Sequence, residues 1–188
     1  MAIKIFIDQG HNPQNPNAGA KGNGLREQDI TYNVGIILAD LLRNNGNFEV
    51  MLSRNSPTEQ LGTSNTSSLA ARTNAANSWG ADYFISLHTN ASTNSTASGA
   101  EAYAFAVDTE GYRLGETIVE QLSLITGLAD RGVFARPSLY VLRKTNMPAV
   151  LVEMGFITNP RDAALMGNEP DLFALGIYNG ILEYFNLQ

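Results

Sequence analysis

Apolar residues along this chain gather into short runs, separated by longer stretches with helical spacing. The runs Ile3–Ile7, Phe48–Leu52, Tyr83–Leu87, Ala102–Val107, Leu139–Leu142 and Ala149–Val152, several rich in β-branched or aromatic side chains, predict strands. Between them Ile30, Val34, Ile37, Leu38, Leu41 and Leu42 recur on one helix face, and Gly46 in "NNGN" offers a C-terminal cap. A second helix is predicted from the Ser/Thr cluster at Thr66–Ser68 to Trp79, and a third through Leu114, Ile118, Leu122 and Ile125 towards Gly127. A last helix starts at Pro170, a favoured first-turn proline, and runs to Phe185. Strands that alternate with helices, and that are apolar without strict alternation, predict an α/β fold with a mostly parallel, twisted open sheet flanked by helices on both faces. One domain over residues 1–188 is expected, long enough to bury roughly 70% of the surface its unfolded form exposes.

Two polar segments interrupt the pattern, "SPTEQLGTSNTSS" and "TNASTNSTASGA". The first reads as solvated connection. The second begins immediately after His88 and lines the rim of any site containing that residue. The glycosylation-like match Asn94-Ser95-Thr96 carries no weight in a loop so rich in these residues.

Composition narrows the function classes. With 44% hydrophobic and 16% charged residues, the chain has the make-up of a soluble globular protein, and no apolar run is long enough to span a bilayer. A net charge of -6 argues against a nucleic-acid partner, since phosphate binding needs clustered Lys and Arg. The absence of cysteine removes disulfides, thiolate nucleophiles and Cys-ligated zinc, so any metal must be held by His and carboxylates. The N-terminal "MAIKIF" enters a predicted strand at once, without the regions of a secretory signal, which leaves a protein not exported by that route or an excised piece. A monomer is the default expectation.

The chain holds two histidines, and both sit just past apolar runs: His11 after "KIFIDQG" and His88 in "DYFISLHTNAS". Ligands of open parallel sheets bind beyond the carboxyl ends of strands, so neighbouring parallel strands deliver both imidazoles to one edge. Glu153 follows "PAVLV" in the same relation to its own strand. Glu27 lies one turn before Ile30 and continues the buried stripe of the first helix to its N-terminal end, where the helix dipole favours an ionised acid. Two neutral imidazoles and one carboxylate form the ligand set of a hydrolytic zinc site with its fourth position left for water, and a second carboxylate is then free to act as general base. Each residue alone has a plainer reading: a hydrogen-bonded loop histidine, a helix-start acid, a cap for the "TNPRD" turn. Those readings do not explain why both histidines and two core-facing acids share one edge.

"IDQGHNP", "GLREQD" opening a helix, "RTNAANSWGADYFISLHTNAS", "SGAEAYAF" and "MPAVLVEMGFITNPRDAALM", in that order over nearly the whole chain, resemble the zinc-dependent N-acetylmuramoyl-L-alanine amidases of bacterial cell-wall turnover and phage lysis. The resemblance implies an α/β fold with a parallel-containing sheet, one zinc ion bound by His11, Glu27 and His88, and Glu153 as the catalytic carboxylate. It implies peptidoglycan as substrate and action at the bacterial cell wall, as an autolysin, spore enzyme or endolysin. One departure is visible: Asn12 and Pro13 stand where the family usually has small glycines, which is expected to reshape the pocket wall and leave the His11 role intact. Asn90 and Glu101 are further candidates for orienting a ligand or meeting substrate, with Glu101 slightly favoured as a buried, paired structural acid. Arg72 is expected to brace the fold. Another zinc peptidase of carboxypeptidase type, or a non-catalytic wall-binding module, are the competing readings.

Overall fold

The computed structural model describes residues 2–187. Strand β1 (Ile3–Gln9) leads through a short ribbon, β2 (Lys21–Gly22) and β3 (Leu25–Arg26), into α1 (Glu27–Asn45) and β4 (Phe48–Leu52). There follow α2 (Asn65–Trp79), β5 (Tyr83–Asn90), β6 (Ala100–Ala104), α3 (Glu110–Thr126), β7 (Asp130–Ala135), α4 (Tyr140–Lys144), β8 (Ala149–Phe156), α5 (Pro160–Asn168) and α6 (Pro170–Phe185). The main sheet has the order β4-β1-β5-β8-β6-β7. Strands β4, β1, β5 and β8 are parallel, while β6 is antiparallel to β8 and carries β7 parallel to itself. The α/β architecture with a mostly parallel open sheet is thus as the pattern predicts.

Successive strand residues point to opposite faces, and both faces are covered. Ile5, Ile7, Ile85, Leu87, Val150 and Val152 pack with α1, α3 and α6 on one side. Phe6, Phe84 and Leu151 pack with the helix residues Ala76, Val141 and Leu142 on the other. Burial on both sides is why the central strands read as apolar runs without alternation. Helix ends obey local chemistry: Ser64 and Ser67 form a capping box at α2, and left-handed Gly46 and Gly127 close α1 and α3.

Two expectations change. Leu139–Leu142 is not a strand: Leu139 is the N-cap of α4, and Val141 and Leu142 are buried beside α2. A four-residue apolar run is compatible with either element, and here packing under the sheet selects the helix. The predicted strand Ala102–Val107 is displaced to Ala100–Ala104, because the chain turns through left-handed Asp108 into the Thr109 cap of α3, leaving Phe105 and Val107 exposed. Four elements escaped prediction, the two-residue strands β2 and β3 together with β7 and α5. The strand β7, "DRGVFA", has a glycine and two charges and lies at the sheet edge, and α5 starts at the Asn159 cap and Pro160 within what reads as a turn. Among the described residues, no helix is long and apolar enough to cross a membrane.

Candidate metal centre

Strands β1, β5 and β8 are adjacent and parallel, so their carboxyl ends share one edge. His11 lies two residues past β1. Strands β5 and β8 run further than the apolar pattern indicates, which makes His88 and Glu153 strand residues paired in register with each other. Glu27 is the first residue of α1 and is 3% exposed. Its Oε1 lies 3.2 Å from His11 Nε2 and 3.1 Å from His88 Nδ1. The structure therefore brings His11, Glu27 and His88 together, with one donor atom from each inside a 4.8 Å sphere of mutual separation.

The Glu27 carboxylate is fixed before any ligand arrives. Its Oε2 accepts from the Ala20 N–H at 2.8 Å, and its Oε1 accepts from the Thr89 N–H at 2.9 Å. Burial works against the charged form, but hydrogen bonds with the His11 and His88 rings outweigh it and hold the carboxyl well below its usual range. Two glycines make room for this crowding. A Cβ at Gly10 would meet His88 Nε2 at 2.6 Å, and one at Gly19 would meet Glu27 Oε2 at 2.8 Å and His11 Cδ2 at 2.9 Å.

His11 adopts φ 68°, a left-handed conformation that a non-glycine residue holds only when its surroundings impose it. Arg72, fully buried on α2, supplies the constraint. Its guanidinium donates to the His11 carbonyl at 2.6 Å, to the Gln9 carbonyl at 2.7 Å and to Asp8 Oδ1 at 2.6 Å. Asp8 in turn accepts from Ser86 Oγ at 2.8 Å. Burial pushes the Asp8 carboxyl up, while the Arg72 charge and these hydrogen bonds outweigh it and leave it lowered. Arg72 thus braces the loop that carries His11. The unusual Asn12 is buried as well: its Nδ2 donates to the Pro16 and Leu61 carbonyls, and its Oδ1 accepts from the Leu61 N–H, so it ties two loops together where a glycine could not.

Glu153 is half-buried, and its Oε2 is enclosed without a hydrogen-bond partner among the described residues. Burial, followed by the charges of Glu27 and Glu101, pushes its carboxyl up to about 8. Glu101 lies directly opposite Glu153 across the antiparallel β6–β8 pair. It accepts from Arg131 Nε at 2.7 Å, from Asn90 Nδ2 at 2.8 Å and from the Tyr103 hydroxyl. Asn90 and Glu101 are therefore joined to each other, and Glu101 is a paired acid. Its pairing with Arg131 was beyond reach of the sequence, because β7 does not read as a strand. Asp8 did offer a signal, an acid directly at the end of an apolar run.

The donor set fits a zinc ion. Two ring nitrogens and a carboxylate oxygen, with no thiolate, suit a site with three protein ligands, whereas magnesium and calcium favour oxygen alone. Glu27 Oε1 lies 3.2 and 3.1 Å from the two ring nitrogens, and the three donors all lie within 4.8 Å of one another.

The chain also resembles known proteins. The chain is 39% identical to the N-acetylmuramoyl-L-alanine amidase CwlM of Bacillus licheniformis, over 98% of its own length and 70% of that protein. It is 32% identical to the endolysin of Bacillus phage SPP1, over 100% of this chain and 68% of the endolysin. The crystal structure of an N-acetylmuramoyl-L-alanine amidase from Clostridium difficile 630 superposes with a TM-score of 0.87 at 32% identity, covering 98% of this chain and 97% of that one. Residues 5–183 match the family described as N-acetylmuramoyl-L-alanine amidase. With its fold, its order of motifs and its relatives in accord, the chain belongs to the N-acetylmuramoyl-L-alanine amidase family.

Proposed function

We propose that this chain is a zinc-dependent hydrolase that cleaves the amide between the lactyl group of N-acetylmuramic acid and the L-alanine of the peptidoglycan stem peptide, acting at the bacterial cell wall. The observation that carries this reading is the His11–Glu27–His88 donor cluster beside Glu153, whose enclosed Oε2 has no partner. A zinc ion held there by His11, Glu27 and His88 would supply Lewis acidity, polarising the scissile carbonyl and lowering the pKa of water from about 15.7 towards about 7. His11, His88 and Glu27 hold the ion, and Arg72 keeps His11 in its left-handed conformation.

Glu153 handles the proton. Its carboxylate takes a proton from the attacking water and returns it to the departing alanine nitrogen, so that amine and carboxylate products leave with charges balanced. A carboxyl whose site raises its proton affinity is suited to that transfer in both directions. The Glu101–Arg131 pair keeps the neighbouring acid from competing for the proton.

The deciding experiment is digestion of purified peptidoglycan with zinc-loaded protein beside a chelator-treated control, scored for new alanine N-termini and for peptide-free glycan. Chelator-sensitive alanine termini are expected. Release of a single amino acid from the far end of the stem would replace the amidase by a carboxypeptidase, and binding to the wall without product would leave a non-catalytic module.

A further inference from the structure

The sheet face that carries Glu153 is closed by α2 and α4 over β1, β5 and the start of β8, but it is open over β6 and β7. Residues two apart in a strand share a face, so Tyr103 lies on the same side as Glu101, with Leu151 and Glu153 opposite them on β8. Phe134 pairs with Tyr103 across β6–β7, their ring centroids are 6.4 Å apart, and Phe134 is 46% exposed. The reverse face of these strands is buried beneath α3, where Gly115 packs closely on Val133, Val150 and Ala102. The open aromatic strip is thus continuous with the catalytic acid and ends in solvent.

Two arginines bracket it. Strand β7 has a register shift opposite Ala100–Ala102, with Gly132 at φ 89°, and this irregularity turns Arg131 onto Glu101 at the end nearest the metal centre. At the other end Arg136 stacks its guanidinium 4.8 Å from the Tyr103 ring centroid and is exposed. Among the described residues Arg136 makes no ion pair, whereas Arg131 is neutralised by Glu101. In a chain of net charge -6, a cation held over an aromatic ring on the open face that also carries Glu153, and lacking a carboxylate, is a recognition element for an anion. On the opposite side of the site, the cleft of about 480 Å³ formed by Pro13, Gln14, Asn15, Pro16 and the 58–63 loop has no charged lining residue. That side suits neutral sugar hydroxyls and amides.

We propose that the Tyr103–Phe134–Arg136 strip is the subsite for the peptide arm beyond the scissile amide, and that Arg136 pairs with a free carboxylate on the residue following L-alanine. The inference rests on the amidase reading. It gives the substrate a direction across the site: glycan towards the His11 loop, acidic peptide along β6–β7. Arg136 is then a specificity-determining residue, discriminating stems with a free carboxylate from stems in which that group is amidated.

The test uses two soluble muramyl-peptides, one ending in L-alanyl-D-glutamate with its carboxylates free and one with the α-carboxylate amidated. The kcat/KM ratio, free over amidated, is measured for the zinc-loaded parent, Arg136→Lys and Arg136→Met. A parent ratio of roughly three- to tenfold is expected, partly kept by Lys and reduced to about one by Met. A parent ratio near one, or a ratio unmoved in Arg136→Met, overturns the subsite while leaving the amidase intact. If the parent cleaves neither compound, the amidase reading fails, and calorimetric binding of the two free dipeptides decides the subsite separately. Tighter binding of the unamidated dipeptide that is lost in Arg136→Met upholds it, and equal binding overturns it.

Discussion

The two flanks of the metal centre are built by opposite principles. On the β1 side, Asp8, Arg72, Asn12 and Ser86 are all buried, and their hydrogen bonds converge on the backbone around His11. On the β6–β7 side, Glu153 keeps an unpartnered oxygen, and beyond it Tyr103, Phe134 and Arg136 border solvent. A metal ligand must stay within a few tenths of an ångström of its place, so its support is buried and over-determined. A proton carrier and a substrate surface must exchange partners, so theirs are left open. On the proposed function, satisfied and unsatisfied polar groups in one site are distributed by role.

Variants on the two flanks should fail differently. Glu153→Gln is expected to lower kcat by about 10²–10⁴-fold with metal content unchanged, whereas His11→Ala or His88→Ala should lose metal and activity together; metal analysis beside turnover separates them. If Glu153→Gln turns over at near the parent rate, the open flank does not carry the proton. Arg72→Met leaves the Asp8 carboxylate buried without its partner and should cost about 3–5 kcal/mol in denaturant unfolding. It should also weaken zinc binding by about 10–100-fold, with partial recovery in Arg72→Lys. Unfolding that matches the parent, with unchanged zinc affinity, would mean that the network is ornamental.

The flanks should also differ in their response to pH. Glu153 has a folded value raised to about 8, so in metal-free protein the native state binds its proton more tightly than the unfolded state. Its stabilising contribution is complete below about pH 4.5 and is lost as pH rises through about 8, and Glu153→Gln should remove that slope from melts across the window. Asp8 has the reverse sign: its value is lowered, so its contribution is present above pH 3.8 and lost on acidification below it. The smallest effect is expected at Phe134→Ser, which should change stability by less than about 0.5 kcal/mol because nearly half of the ring is already in water.

Much of the site was legible because the chain has few histidines and parallel strands have a common end. Placing His11 and His88 after apolar runs was enough to predict their approach, and the helical phase of Ile30 and Val34 was enough to turn Glu27 inward. Strand ends were harder to read: His88 and Glu153 lie inside β5 and β8, where polar residues continue the ladder past the apolar run. Leu139–Leu142 failed as a strand because a short run carries no period of its own, and β7 was missed because edge strands tolerate Gly132 and charges that central strands exclude.

By itself, then, the order of apolar runs and caps pointed to the α/β class, the central parallel strands and the His11–Glu27–His88–Glu153 candidates, since these follow from local periodicity and residue chemistry, while the ordered motifs carried the resemblance to the family. Only the tertiary structure decided that β6 runs against β8, setting Glu101 opposite Glu153, that Arg72 grips His11 from a distant helix, and that Arg136 stands over Tyr103 without an ion pair among the described residues. These are contacts between residues dozens of positions apart or on strands of unexpected direction. Their partners are chosen by packing, which no local pattern encodes.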